Sequence, residues 1–203
     1  MMQILILIVK GEYNVEAHYC LSCGHTLVIR NIGGENRKAC SKCDFIFWGN
    51  YSVGVGALII KDEKMLLVRR TQNPGKGLWT NPGGFVEQHE PIEKSIVREV
   101  FEETGITSKV NGIVALRDLP GGIHNVYVVF SMDYVEGYPQ SDNVEVDDAG
   151  FFSSKEIESM HVANLTRKLA AIAFENPSHG LISDTKKIAD YEFHQVQQIQ
   201  RFK

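Results

Sequence analysis

The segment 83–106, GGFVEQHEPIEKSIVREVFEETGI, constrains the fold of this chain more than any other stretch. Pro91 suits the first turn of a helix, where its missing N–H costs nothing, and Gly105 suits the position just past a helix end. The apolar residues fall on two sides at helical spacing: Ile92, Ile96 and Val100 on one, Val97 and Phe101 on the other. The segment therefore predicts a helix over 91–104, wedged between other elements.

Negative charge gathers at the end of this predicted helix. Glu99, Glu102 and Glu103 project over one arc of about 100°. Like charges at this spacing repel by a few tenths of a kcal/mol, and each carboxylate opposes the helix dipole by about 0.3–1 kcal/mol. A solvated acidic face with Arg98 paired to Glu102 is one interpretation, but it leaves the other two unpaired. Because oxygen-rich clusters suit Mg²⁺ or Mn²⁺, metal binding is the favoured interpretation.

The loop before the helix fits the same hypothesis. Asn81-Pro82-Gly83-Gly84 lets the backbone approach an ion or a phosphate closely, because glycine has no Cβ. The alternative is an ordinary turn.

The four cysteines predict a metal site of another kind. They lie in two pairs, CLSC and CSKC, at Cys20, Cys23, Cys40 and Cys43, with sixteen residues between the pairs. This spacing is typical of a structural zinc ribbon, in which four thiolates complete a tetrahedron. Two disulfides or four free thiols are the alternatives, and disulfides would require an oxidising compartment. The residues between the pairs predict a hairpin with a strand at 26–29 and a turn at 33–36.

The rest of the chain alternates strands and helices. Strands are predicted at 53–61, 65–70, 109–119 and 126–134, and further helices at 154–160 and 164–175. This order predicts an α+β fold with a mixed sheet covered on both faces. The predicted units are an N-terminal segment and zinc ribbon at 1–50, a main domain at 51–180, and a tail or helix at 181–203. The N-terminal run MMQILILIVK is interpreted as a short strand.

Charge and hydropathy narrow the possible environments. The net charge of −4 gives no basis for a nucleic-acid-binding surface over the whole molecule. The ribbon is locally basic through Arg30, Arg37, Lys38 and Lys42, which permits such contact, although solubility is the favoured explanation. No apolar segment is long enough to span a membrane, and the N-terminus is not typical of a secretory signal. We expect a soluble, cytoplasmic protein without a membrane partner.

The segment 84–106 resembles the Nudix box, G-x5-E-x7-R-E-U-x-E-E-x-G-U with U an apolar residue, at every fixed position. The matching residues are Gly84, Glu90, Arg98, Glu99, Val100, Glu102, Glu103, Gly105 and Ile106. A match of this length is far more specific than a lone glycine motif. The resemblance implies an α/β/α sandwich and a hydrolase that acts on a nucleoside diphosphate linked to another group.

The resemblance also implies roles for individual residues. Glu99, Glu102 and Glu103 would bind the catalytic Mg²⁺ or Mn²⁺, with help from the Gly84 carbonyl. Arg98 would orient the glutamates and Glu90 would brace the loop. Substrate contacts are expected from Gly83, Gly84 and Phe85. Glu99 or Glu103 is one candidate for the base. A base from a later loop is known in the family, and Glu145 in the acidic loop SDNVEVDD (141–148) is the candidate of that kind; an exposed acidic loop without a catalytic role is the alternative.

The residues after the box narrow the range of substrates. A zinc ribbon before a Nudix domain resembles NADH pyrophosphatases, but their S-Q-P-W-P-F-P motif is replaced here by RDLPGGIHNVYVVF. The combination is more similar to members that hydrolyse ADP-ribose or FAD, in keeping with Pro120. Phe85, Trp79 and Tyr127 are candidates to stack on adenine, or core residues.

Other functions stay open at this point. They are a nucleoside-triphosphate or RNA-cap pyrophosphatase, and a nucleotide-sensing regulator whose ribbon binds nucleic acid. The full set of box glutamates favours the enzyme. We expect a nucleotide substrate, no nucleic-acid partner, and a possible homodimer as in related ADP-ribose hydrolases.

Overall fold

The computed structural model describes residues 16–175, 179–183 and 194–199. The predicted N-terminal strand lies outside the described residues. None of the helices described is long and apolar enough to cross a membrane.

The N-terminal unit is a small three-stranded antiparallel sheet. Its strands are β1 (Leu27–Ile32), β2 (Glu35–Cys40) and β3 (Ile46–Phe47), in the order β1-β2-β3. The hairpin turn is confined to Gly33 and Gly34, whose φ angles are +63° and +90°, so the predicted four-residue turn is too long by two. Among the described residues of this unit, four are buried: Cys20, Leu27, Ala39 and Cys40. So little apolar surface cannot hold a fold alone, which makes a metal staple physically useful.

The main unit is built on one nine-stranded mixed sheet. Its strands are β4 (Tyr51–Lys61), β5 (Lys64–Arg70), β6 (Trp79–Thr80), β7 (Gly83–Phe85), β8 (Thr107–Leu119), β9 (His124–Glu136), β10 (Val146–Phe152), β11 (His179–Ser183) and β12 (His194–Gln198). The order is β10-β5-β4-β9-β8-β11-β12, with β6 on β5 and β7 on β4. The pair β4–β9 is parallel and the others are antiparallel.

Three helices cover the two faces of this sheet. They are α1 (Ile92–Thr104), α2 (Ser154–Ser159) and α3 (Asn164–Glu175). On one face, Ile96 and Val100 of α1 pack on Val55 and Phe130. On the other, Leu169 of α3 joins a second buried cluster. The predicted α+β class, with a mixed sheet covered on both faces, is confirmed.

Three local predictions are corrected. Phe101 is 58% exposed, so α1 is apolar mainly on the side of Ile96 and Val100. The loop expected over 141–148 holds as far as Glu145, but its last three residues, 146–148, belong to β10, which pairs with β5. Part of the C-terminal segment, predicted as a tail or helix, forms β11 and β12, which extend the sheet beyond β8. Pairing with a distant strand decided both of the last two cases, and local sequence does not encode it.

Candidate active site and cysteine cluster

The last turns of α1 carry the acidic residues into the protein. Gly105 adopts the left-handed conformation with φ +66°, and its N–H donates to the Phe101 carbonyl at 2.8 Å, which ends the helix. Glu99 and Glu103 lie on the side that faces the sheet, where they are 9% and 5% exposed. The side chain of Glu102 is 56% exposed. Two of the three carboxylates are therefore buried.

Arg98 holds several of these carboxylates at once. Its Nη1 donates to Glu99 and to Glu102, each at 2.9 Å. Its Nε and Nη2 donate to Glu90, at 3.0 Å for the closest contact, and Glu90 also accepts from Ser95 Oγ at 2.8 Å. These bonds to Arg98 lower the pKa of Glu90. The structure therefore gives Arg98 three carboxylate partners, Glu90, Glu99 and Glu102.

Glu103 is the carboxylate without a basic partner. Its Oε2 accepts the Gly83 N–H at 2.9 Å, and no described Lys, Arg or His forms an ion pair with it. Burial raises the pKa of Glu103 well above the usual value for glutamate, and burial likewise raises the pKa of Glu99. A buried acid without a counter-charge is costly, and such groups are concentrated at functional sites.

Both buried glutamates open onto one large cavity of about 840 Å³, here called the acidic cavity. Its charged lining residues are Glu87, Arg98, Glu99, Glu102, Glu103, Asp142 and Glu145. Gly84 and Phe85 of β7 form part of its wall. Glu145 is close enough that its charge contributes to the raised pKa of Glu99 and of Glu103. The candidate base predicted from the sequence therefore lies at the same cavity, 42 residues further along the chain than Glu103.

The position of Glu145 is set by two neighbours that the sequence did not reveal. The Asp142 carboxylate accepts the backbone N–H groups of Val144, Glu145 and Val146, at 2.9, 3.1 and 3.0 Å. The Thr71 hydroxyl donates to the carbonyl of Val144 at 2.7 Å and to that of Glu145 at 3.0 Å. These bonds fix the backbone of the turn that carries Glu145.

The profile of the NUDIX domain matches residues 50–173, more than half of the chain. The chain belongs to the Nudix family. It is a Nudix hydrolase. The matched range covers the main sheet from β4 to β10, helices α1 and α2, and α3 except for its last two residues.

Similar proteins are found in sequence and in structure. An ADP-ribose pyrophosphatase of Methanocaldococcus jannaschii is 36% identical over 67% of this chain and 85% of its own length. An NAD-capped RNA hydrolase NudC of Pectobacterium atrosepticum is 30% identical over 70% of this chain, but this chain covers only 53% of that relative. The crystal structure of a Nudix hydrolase from Nitrosomonas europaea matches with a TM-score of 0.69 and 27% identity, over 78% of this chain and 91% of that one.

The Nudix residues offer oxygen ligands only, which fits a hard divalent cation. The buried, unpaired Glu103 supports that fit, and Gly84 leaves its backbone accessible beside Glu99. The glutamates are nevertheless not closely clustered: among the described residues, only the cysteines form a group of three or more potential ligands within 4.8 Å. Because Arg98 contacts Glu99 and Glu102, a cation shared with Glu103 would require these contacts to loosen.

The four cysteines meet at one point of the N-terminal unit. The Sγ atoms are 3.4 Å apart for Cys23 and Cys40, 3.5 Å for Cys23 and Cys43, and 3.7 Å for Cys20 and Cys43. A tetrahedral zinc ion with Zn–S bonds of 2.3 Å would separate its sulfurs by about 3.8 Å. The backbone N–H of Lys42 lowers the pKa of Cys40 to about 6. The cluster can therefore bind zinc.

The aromatic residues that were candidates to stack on adenine lie in different places. Phe85 lines the acidic cavity, whereas Tyr127 lines a second cavity beside it. Trp79 packs in the core against Phe152, with ring centroids 4.7 Å apart, and lines neither cavity. Pro120 lines a third cavity, where the N-terminal unit meets the main sheet.

Gly84→Ala is expected to lower activity about 10- to 100-fold, the size of effect seen when groups that orient metal ligands are changed. A Cβ at this position would lie 2.4 Å from Glu99 Cδ, so the Glu99 carboxylate must move. Steady-state hydrolysis of ADP-ribose with Mg²⁺ or Mn²⁺ measures the loss. Gly121→Ala is the matched control, because its Cβ meets nothing closer than 3.5 Å. Full activity in Gly84→Ala would show that catalysis does not need this position of Glu99.

Proposed function

We propose that this protein hydrolyses the diphosphate of ADP-ribose or of a related dinucleotide such as FAD or NADH, releasing AMP and the phosphorylated second half. The observation that carries the proposal is the acidic cavity, where buried Glu99 and Glu103 and the charge of Glu145 meet at the β7 strand. The ADP-ribose pyrophosphatase relative, similar over 85% of its length, supports this choice of substrate.

The metal ligands in this proposal are Glu99, Glu102 and Glu103, with the Gly84 carbonyl. A bound Mg²⁺ or Mn²⁺ neutralises the diphosphate oxygens and makes water a better nucleophile. Arg98 keeps Glu99 and Glu102 oriented through its two hydrogen bonds of 2.9 Å.

Glu145 accepts the proton of the attacking water in this scheme. The water oxygen forms a bond to phosphorus as the bridging P–O bond breaks, and the bridging oxygen leaves on the other product. Gly83, Gly84 and Phe85 line the wall against which the substrate lies.

Zinc in the cysteine cluster is proposed to be structural. With Cys20, Cys23, Cys40 and Cys43 as ligands, a zinc ion keeps no open position for chemistry. The few buried residues of this unit support a stabilising role.

Hydrolysis of capped RNA is the second candidate. The NudC relative supports it, and so does one surface feature of the N-terminal unit. Trp48 is 59% exposed and the Arg37 guanidinium lies 4.9 Å from its ring, a pair able to stack on an unpaired base.

A substrate panel tests the proposal directly. ADP-ribose, FAD, NADH, nucleoside triphosphates and NAD-capped RNA are incubated with Mg²⁺ or Mn²⁺, and the products are separated by chromatography. ADP-ribose or a dinucleotide is expected to give the highest kcat/KM. Preference for capped RNA would replace the first candidate with the second. No turnover of any substrate, with tight nucleotide binding, would support the regulatory alternative.

A double-mutant cycle tests Glu145. Glu145→Gln is expected to lower kcat about 10²- to 10⁴-fold, the usual contribution of a general base. Thr71→Val removes the hydroxyl that holds the turn carrying Glu145. It is expected to lower kcat about tenfold in the wild-type background, but less than twofold when Glu145 is already replaced by Gln. Thr71→Ser, which keeps the hydroxyl, serves as the control. Equal effects of Thr71→Val in both backgrounds would mean that Thr71 does not act through Glu145.

A cytoplasmic location, a homodimer and the absence of membrane and nucleic-acid partners stay predictions. Light scattering on the purified protein measures the oligomeric state.

A further inference from the structure

A second cavity, of about 400 Å³, lies beside the acidic cavity and shares Gly84 and Phe85 with it. Its charged and polar side chains are those of Arg70, Thr80, Asn81, Arg117, Asn125, Tyr127 and Thr166. We call it the cationic cavity. None of its lining residues in the described part of the chain is acidic. Two cavities of opposite charge therefore meet at the strand where the diphosphate is proposed to bind.

The two arginines of the cationic cavity have donors left over. Arg70 Nε and Arg117 Nε are buried and have no hydrogen-bond partner among the described residues. A buried donor without a partner is rare in a folded protein and calls for a ligand, an ion or water. Here the two arginines that carry such donors line the same cavity.

The amide oxygens that could accept a hydrogen bond from a ligand already accept one from a neighbouring side chain. Asn81 Oδ1 accepts from Thr166 Oγ1 at 3.1 Å, and Asn125 Oδ1 accepts from Arg117 Nη2. The Tyr127 hydroxyl accepts from Asn81 Nδ2 at 3.1 Å. The side chains of the cavity thus offer positive charge, and the side-chain oxygens of Asn81, Asn125 and Tyr127 already accept hydrogen bonds within it.

Arg117 is held in place from two sides. Asn125 binds its Nη2, and its guanidinium carbon lies 5.1 Å from the centre of the Tyr127 ring. Guanidinium groups stack on aromatic faces in this way, and the fixed position leaves Nε–H without freedom to find another partner.

We infer that the cationic cavity binds the nucleoside half of the substrate, on one side of the scissile diphosphate. The cavity selects this half by an oxygen acceptor that it carries, which binds Arg70 and Arg117. The inference rests on the proposed function. The acceptor has two possible sources, a carbonyl oxygen on the base or a phosphate on the ribose. Both place an oxygen acceptor beside the two guanidinium groups, whereas an amino group at the same place adds another donor beside them.

Matched substrates distinguish the two sources. In inosine diphosphate ribose, a carbonyl on the base replaces the amino group of ADP-ribose. ADP-ribose 2′-phosphate keeps the amino group and carries one additional phosphate on the ribose. The wild-type protein is expected to prefer one of these to ADP-ribose by about tenfold or more in kcat/KM, the discrimination of a hydrogen bond to a charged donor. The preferred compound identifies the source.

Arg70→Met and Arg117→Met are expected to reduce that preference to less than about twofold, mainly through KM. The quantity compared is the ratio of kcat/KM for two substrates, measured on one protein preparation. Because partial misfolding lowers both values alike, it does not change this ratio. A wild-type protein without preference for either compound would overturn the inference, and so would a preference that survives both substitutions.

A binding measurement separates this inference from the proposed function. Calorimetry with AMP, inosine monophosphate and adenosine 2′,5′-bisphosphate needs no turnover. The acceptor-bearing ligand is expected to bind about tenfold tighter than AMP to the wild-type protein, and no tighter to Arg117→Met. Equal affinity of the wild-type protein for all three would overturn the inference even if ADP-ribose is hydrolysed. The expected ranking without any hydrolysis would support the cavity and contradict only the enzymatic proposal.

Discussion

Glu103→Gln is expected to lower kcat for diphosphate hydrolysis by about 100-fold or more. This loss is larger than the loss caused by changing a group that only orients a metal ligand. The amide keeps an oxygen that accepts the Gly83 N–H, so the fold of β7 against α1 is preserved. The charge that would bind the cation is lost. Initial rates with ADP-ribose at saturating Mg²⁺ or Mn²⁺ measure the effect.

The same substitution is expected to leave the thermal unfolding midpoint unchanged or raised in the absence of divalent metal. Burial opposes the charge of Glu103, and Glu99 and Glu145 repel it, so the neutral amide removes an unfavourable interaction. Lower activity with equal or higher stability is the mark of a functional rather than a structural residue. Glu93→Gln, on the same helix but bonded to His194 and outside the acidic cavity, is the matched control. Wild-type kcat in Glu103→Gln would refute the role.

Cys40→Ser is expected to abolish zinc binding and to unfold the N-terminal unit while the main sheet stays folded. Structural zinc sites of this type contribute an apparent free energy of about 10–16 kcal/mol. Cys20, Leu27 and Cys40 of this unit form a buried cluster of their own, separate from the two clusters around α1 and α3. Metal analysis should give one zinc per wild-type chain and none in the variant. Limited proteolysis should then cut within residues 16–50.

Ser41→Ala, in the same CSKC pair, is the control for this experiment. Its side chain supplies no thiolate, so zinc content and protease resistance should match the wild type. A Cys40→Ser protein that keeps its zinc, or a zinc-free wild type that resists proteolysis, would contradict the assignment.

The sequence by itself determined the acidic motif, the cysteine motif and the boundaries of helix α1. The helix runs from Ile92 to Thr104, one residue later at its start than predicted, and Gly105 caps its end. These features depend on spacings of a few residues, which helix geometry and thiolate coordination convert directly into positions in space. The alternating strands and helices likewise determined a mixed sheet covered on both faces.

Only the tertiary structure decided which residues share a cavity. Arg70 and Arg117 lie on separate strands, and Glu145 reaches the acidic cavity because β10 pairs with β5. Strand pairing between distant segments depends on packing over the whole sheet, so no local pattern marks these residues. The three glutamates that the sequence grouped together also differ in their surroundings. Arg98 pairs with Glu99 and Glu102, whereas Glu103 is buried and accepts the Gly83 N–H.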